Sequence, residues 1–272
     1  MTELVIIFVS IFAGFIGSLL GLGGGVIIVP FLTLVLHIDI RYAVAASLIS
    51  IVATSSGAAA GFLKDRLTNV RVAIILEVGT VLGAATGFLL SRRIESKQLF
   101  LIFGGFLLVS AFLMFRKKKD SRAAGNHPWA EKLNLQGSFP GHDGKMISYN
   151  VAQVPFGLIS MYFAGILSAL LGIGSGIFKV MAMDGAMRLP MKVSSATSNF
   201  MIGVTATASA GAYLLSGDIQ PEVACPVALG IICGSWIGGK TMPHLPTELI
   251  RKIFVTVLVV VSIQMIFRGV RS

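Results

Sequence analysis

Two short stretches decide the fold: Leu20-Gly21-Leu22-Gly23-Gly24-Gly25 and Leu171-Gly172-Ile173-Gly174-Ser175-Gly176. Each follows a long apolar run, Leu4 to Leu20 and Ala152 to Leu171, and each precedes a short one, Val26 to Leu36 and Ile177 to Met187. A glycine inside a helix costs about 1 kcal/mol relative to alanine, so three or four within five residues break it. A membrane-spanning helix needs about 20 residues, so the short runs do not span alone. The two stretches lie 151 positions apart, and the same shift puts Ala13-Gly14 on Ala164-Gly165, Ser47 on Ser198 and Thr54 on Thr205. It also puts Gly79, Gly83 and Gly87 on Gly230, Gly234 and Gly238, with no gap needed from about Phe12 to Met114. This is an internal duplication, an architecture common among membrane transporters.

Composition sets the medium. The chain has 272 residues, 55% hydrophobic and 12% charged, with a mean hydropathy of +0.86. A soluble domain carries about 25% charged residues. The chain is therefore read as an integral membrane protein, and its long continuous apolar runs imply helices, since barrel strands alternate. Tyr42 to Leu63, Val70 to Leu90 and Leu99 to Phe115 complete the first half; Val193 to Leu215, Val223 to Gly239 and Ile250 to Phe267 complete the second. The expected organisation is a first transmembrane repeat over 1–115, a cytoplasmic linker over 116–150 and a second repeat over 151–272. The fold class is all-α and polytopic, two four-segment repeats, each with a glycine-broken first element. The first residues, Met1 to Val9, lack a basic n-region and read as a membrane segment, not a cleaved signal.

Charge placement orients the halves. If each glycine break turns the chain back to the side it came from, the loop Lys and Arg residues divide about 6 to 15; if it does not, about 12 to 9. The first split better satisfies the positive-inside rule, so inverted repeats are expected, with the linker inside. The net charge of +10 is read the same way, since the basic residues flank apolar runs and no aromatic-basic platform suggests nucleic acid. The linker, with Arg116 to Lys119, Trp129, Phe139 and Tyr149, reads as a connector along the membrane surface. His127 and His142 have no cysteine nearby, and no metal or other cofactor is expected; Cys225 and Cys233 read as reduced packing residues.

Chemistry is sought where polar groups interrupt the apolar runs. A broken helix leaves backbone N–H groups at the start of the next piece, which favour an anion. Gly21, Gly23, Gly24, Gly25, Gly172, Gly174, Ser175 and Gly176 are candidates on that ground, with glycine packing as the alternative. Lys179 lies three residues past Gly176, inside an apolar run, opposite Ile28 in the repeat. A charge there costs several kcal/mol and is expected to meet the anion, to pair with Asp184 or to snorkel. Glu77, opposite Ala228, and Asp184 are candidate coupling residues. Ser47, Thr54, Ser198, Asn199 and Thr205 are expected to line a polar wall, the alternative being hydrogen bonds within the bundle.

The paired stretches, with Ala13-Gly14 and Ala164-Gly165 before them and Ala45-Ala46-Ser47 and Ala196-Thr197-Ser198 after, resemble the sulfite exporter TauE/SafE family. The resemblance covers nearly the whole chain. It implies a multi-pass transporter of the bacterial inner membrane, not an enzyme, exporting sulfite or an organosulfonate such as sulfoacetate. The expected partners are a small anion, the lipid bilayer and, as an open option, a second copy of the chain; nucleic acid is not among them. An anion channel and a carrier of non-sulfur organic anions are the rival readings. The sequence departs from its own symmetry at Ser175 in place of Gly24 and Met181 in place of Pro30.

Overall fold

The computed structural model describes residues 2–20, 24–115, 128–140, 146–241 and 247–271. The first half contains α1 (Thr2–Leu20), α2 (Gly25–Pro30) continuing into a π turn (Phe31–Val35), α3 (Ile40–Lys64), α4 (Val70–Ser91) and α5 (Ser96–Phe115). A short α6 (Pro128–Lys132) and a two-stranded hairpin, β1 (Gly137–Pro140) and β2 (Met146–Tyr149), follow. The second half contains α7 (Val154–Leu171), α8 (Gly176–Met181) with its π turn (Ala182–Ala186), α9 (Met191–Leu215), α10 (Pro221–Thr241) and α11 (Thr247–Arg271). The bundle is all-α; the hairpin is the one departure from that class among the described residues. Both π turns fall at the same repeat position although Pro30 faces Met181, so proline is not their cause.

Sequence explains the boundaries. Gly172, with φ +64°, ends α7, its N–H donating to Ser168 O. Pro221 opens α10, where its missing N–H costs nothing. Asn69 caps α4 by accepting from Val72 N at 3.1 Å. The chain turns back after the second break: Ala152 N donates to Met187 O, so the end of the π turn returns to the start of α7.

Glycine stripes fix the packing. Along α4, Gly79, Gly83 and Gly87 lie in turn against the backbone of Leu158, Tyr162 and Ile166 on α7. Along α10, Gly230, Gly234 and Gly238 lie against Ile7, Ile11 and Phe15 on α1. The second set is the first shifted by 151, with donor and receiver exchanged between halves. Small residues allow this backbone approach where lipid offers no hydrophobic drive between helices. Both pairs run in the same direction. By contrast, α5 and α11 run oppositely, since Gly104 faces Ser262 and Ile266 while Gly269 faces Lys97 and Leu101.

The outer face is apolar. Ile74, Val78, Leu82 and Leu89 stand exposed on α4, and Leu229, Ile232, Trp236 and Ile237 on α10. Val70–Ser91, Val154–Leu171 and Pro221–Gly238 are long and apolar enough to cross a membrane. The protein is a membrane protein. Cys225 and Cys233 are unpaired thiols, but exposed and not packed inside as expected.

The described part of the linker packs against the bundle at the starts of α4, α7 and α9. Ala130, Leu135 and Phe139 share a hydrophobic cluster with Val72 and Leu76 of α4, Met161 of α7 and Val193 of α9. Asn69 holds it there: Nδ2 donates to Leu135 O at 2.8 Å and to the Tyr149 hydroxyl at 2.9 Å, and its backbone N–H donates to Thr197 Oγ1 at 3.0 Å. His127, His142 and the basic start of the linker lie outside the described residues. Burial raises the Tyr149 pKa, with the Asn69 hydrogen bond opposing. The stability it contributes is therefore present below the ordinary tyrosine value of 10.0 and is lost as pH rises through the raised one. Asn69→Ala removes the cap and both linker bonds. It is expected to cost about 1–2 kcal/mol and to make the 128–149 segment cleavable at protease levels that spare the parent, read by limited proteolysis.

Candidate functional site

The two breaks meet. Gly25, the first residue of α2, lies against Gly172 O, and Ser47 Oγ on α3 donates to that same carbonyl at 2.5 Å. Gly172 also lies against the backbone of Val44, and Gly174 against Ile202 and Ile51. A Cβ at Gly25 would collide with the Gly172 carbonyl, so the close approach itself requires glycine. Gly24 is the residue before α2, with φ −70°. Gly21 and Gly23 lie outside the described residues. On the other side, Ser198 Oγ donates to Gly176 O at 3.3 Å.

Ser175 replaces Gly24 in the repeat and carries strain that Gly24 avoids. Its φ is +48° and ψ 26°, the left-handed region, which costs an L residue about 1–2 kcal/mol. Its hydroxyl is buried and has no hydrogen-bond partner among the described residues. Strain together with an unpaired buried hydroxyl is what a residue retained for a ligand looks like. Ser175→Gly is expected to raise unfolding stability by about 1 kcal/mol, read by thermal unfolding. Equal stability would contradict the strain read from its backbone.

The charged centre lies one helical turn on. Lys179 of α8 is wholly buried, and Glu77 of α4 is 8% exposed. Lys179 Nζ donates to Thr205 Oγ1 of α9 at 2.5 Å and lies 3.9 Å from Glu77 Oε2. Thr205 Oγ1 is 2.5 Å from Glu77 Oε1 and 2.9 Å from Met201 O. Glu77 Oε2 makes no hydrogen bond. One charge thus comes from each half of the chain. Neither has a charged counterpart in the repeat, where Ala228 and Ile28 stand, so symmetry could not reveal the pair. The only signal was that three charges, Lys179, Glu77 and Asp184, remained inside apolar runs after every loop charge had been assigned.

The other expected residues divide. Thr54 and Asn199 are buried, but Thr54 Oγ1 donates to Ser50 O and Asn199 Nδ2 to Ser195 O, both on their own helices. Their hydrogen bonds stay within a helix, as those of Ser and Thr in membranes often do. Asp184 sits half-buried on the π turn after α8, and the ion pair of Lys179 is with Glu77. No cluster of metal-ligating residues occurs among the described residues.

Comparison with known proteins agrees with this architecture. The chain is 27% identical over 283 residues to "Probable membrane transporter protein YunE" of Bacillus subtilis (strain 168), covering all of both chains. It is 24% identical to "Probable membrane transporter protein YdhB" of the same organism, over 93% of this chain and 96% of that one. No solved structure matches. The family described as Sulfite exporter TauE/SafE matches residues 6–265, and with that span, the duplication and the buried charges between the halves, the chain belongs to the TauE/SafE family of membrane transporters, not to the enzymes.

Proposed function

We propose that the chain is a secondary transporter that exports a small sulfur-containing anion, sulfite or an organosulfonate such as sulfoacetate, across the bacterial cell membrane by alternating access. The observation that carries this reading is Lys179, a side chain without any exposure on the short helix that follows the second break, seven residues past Gly172. A buried charge is expensive in a bilayer and marks a substrate or ion path. Compact anions with several acceptor oxygens suit a lysine, a buried serine hydroxyl and backbone N–H groups.

Alternating access rests on inverted repeats, 1–115 and 151–272. Two observations support inversion: the opposite directions of α5 and α11, and the return of the chain after the second break. A pair of equivalent helices that run oppositely is related by an axis in the membrane plane. The 116–150 linker then faces the cytoplasm, with the positive charge.

The test is binding and flux together. The purified protein should be stabilised against heat by sulfite and by sulfoacetate, and less by chloride. In liposomes, labelled sulfite should exit faster when unlabelled sulfite is present outside. Flux at channel rates without that stimulation would favour a channel. Stabilisation by carboxylates and not by sulfur anions would favour a carrier of non-sulfur anions.

A further inference from the structure

We infer that each anion travels with one proton, taken up by Glu77 through the Thr205 hydroxyl. The inference rests on the transport reading above and adds its coupling.

Hydrogen counting at Thr205 carries it. A hydroxyl has one hydrogen and two lone pairs. Three groups crowd Thr205 Oγ1: Lys179 Nζ at 2.5 Å, Glu77 Oε1 at 2.5 Å and Met201 O at 2.9 Å. The ammonium only donates and the carbonyl only accepts. The single hydroxyl hydrogen therefore goes either to Glu77 or to Met201 O. In the first arrangement Glu77 is a carboxylate. In the second, the short contact to Oε1 needs a hydrogen on the carboxyl, so Glu77 is neutral. The heavy atoms are the same in both, and the site can take or give a proton without rebuilding.

Charge decides which form meets the anion. With Lys179 charged and Glu77 ionised the buried pair is neutral. An anion arriving at Lys179 adds negative charge in a medium that screens little, and a proton on Glu77 cancels one unit of it. Neutral Glu77 also releases Lys179, which has two further N–H groups to offer. The buried hydroxyl of Ser175, one turn before Lys179, has no hydrogen-bond partner among the described residues and is free of any bond that an anion would have to break there.

Few other charges compete. The titratable groups on the packed elements are Tyr162 on α7, Lys179 on α8, Asp184 on the π turn that follows it, and Lys192 and Tyr213 on α9, thirteen and eight residues from Thr205; α4 itself adds Arg71, six residues from Glu77. The charged group facing Glu77 is Lys179.

The step balances. One proton leaves the water on the entry side and bonds to a Glu77 oxygen; the same bond breaks on the exit side as the anion leaves. Anion and proton thus move in one direction, and an acid cytoplasmic side drives export.

Sulfoacetate is the probe, because its sulfonate and carboxylate both stay ionised between about pH 6 and about pH 8, so the proton cannot ride on the ligand. Liposomes hold equal sulfoacetate on both sides with the membrane potential clamped. The expected result is accumulation on the alkaline side, approaching about tenfold per pH unit. Glu77→Gln and Thr205→Val should bring the accumulation ratio to one, and Thr205→Ser should keep it. The wild-type protein in weak buffer should take up one proton per sulfoacetate bound, a readout that no variant's folding can obscure. Counterflow without pH-driven accumulation, or binding without proton uptake, overturns the coupling alone. No wild-type counterflow at equal pH overturns the transport reading beneath it.

Discussion

Lys179→Met is expected to abolish sulfite and sulfoacetate binding and to destabilise the protein by about 3–5 kcal/mol. The methionine keeps much of the apolar stem but removes the charge that Glu77 faces at 3.9 Å. A buried carboxylate left without its partner carries its full desolvation cost. The Thr205 hydroxyl, which accepts from Lys179, loses its donor in the same change. Stability and function then need to be separated. Lys179→Met with Glu77→Gln removes both charges, and a buried pair replaced by neutral groups of similar size is often close to neutral in stability. The double variant is therefore expected to regain most of the unfolding temperature and none of the binding. Thermal unfolding with a sulfoacetate titration checks both. A double variant that binds the anion as well as the parent would show that Lys179 serves only to balance Glu77.

Gly83→Leu is expected to prevent assembly of the bundle. A Cβ at Gly83 would fall on the carbonyl oxygen of Tyr162, which is α7 backbone and cannot swing aside as a side chain can. α4 and α7 must then separate along the stripe that also includes Gly79, Gly87 and Gly165. Overpacking costs about 1–3 kcal/mol where side chains can give way, and more is expected where backbone must. Gly234→Leu repeats the experiment in the other half, since Gly234 lies against Ile11 O on α1. Gly105 is the control: nothing lies within 4 Å of its Cβ position, so Gly105→Ala should be neutral or stabilising by up to about 1 kcal/mol. Yield of monodisperse protein on size exclusion, with thermal unfolding of whatever is recovered, distinguishes the three. Equal behaviour of Gly83→Leu and Gly105→Ala would contradict the packing described.

The glycines show how far the sequence reaches. Gly79, Gly83 and Gly87 could be matched to Gly230, Gly234 and Gly238 by counting, but counting does not say that each stripe packs against a helix of the opposite half. The break at 172–176 was legible because helix propensity is local. The pairing of Glu77 with Lys179 was not, because the repeat places Ala228 and Ile28 at those positions and the contact spans 102 residues. Asn199 shows why a buried amide need not reach across the bundle. A buried amide needs partners, but a helix supplies one internally, and Ser195 O takes that part. That the linker packs on particular helices was not legible, because its apolar residues are few and scattered. What buries Leu135 and Phe139 is the cluster on α4, α7 and α9, anchored by an asparagine that sequence marks only as a helix cap. Ser175 was visible as a departure from symmetry, but its left-handed backbone and unpaired hydroxyl needed coordinates.

On the proposed reading, Lys179 of α8, beyond the second break, holds a small oxyanion. The most direct measurement is the anomalous scattering of crystals grown with selenite, a heavier stand-in for sulfite. The expected result is a single selenium peak within hydrogen-bonding reach of Lys179 Nζ and Ser175 Oγ, absent from Lys179→Met with Glu77→Gln. A peak confined to the arginines at the ends of the helices, or one that persists beside position 179 in the double variant, would contradict it.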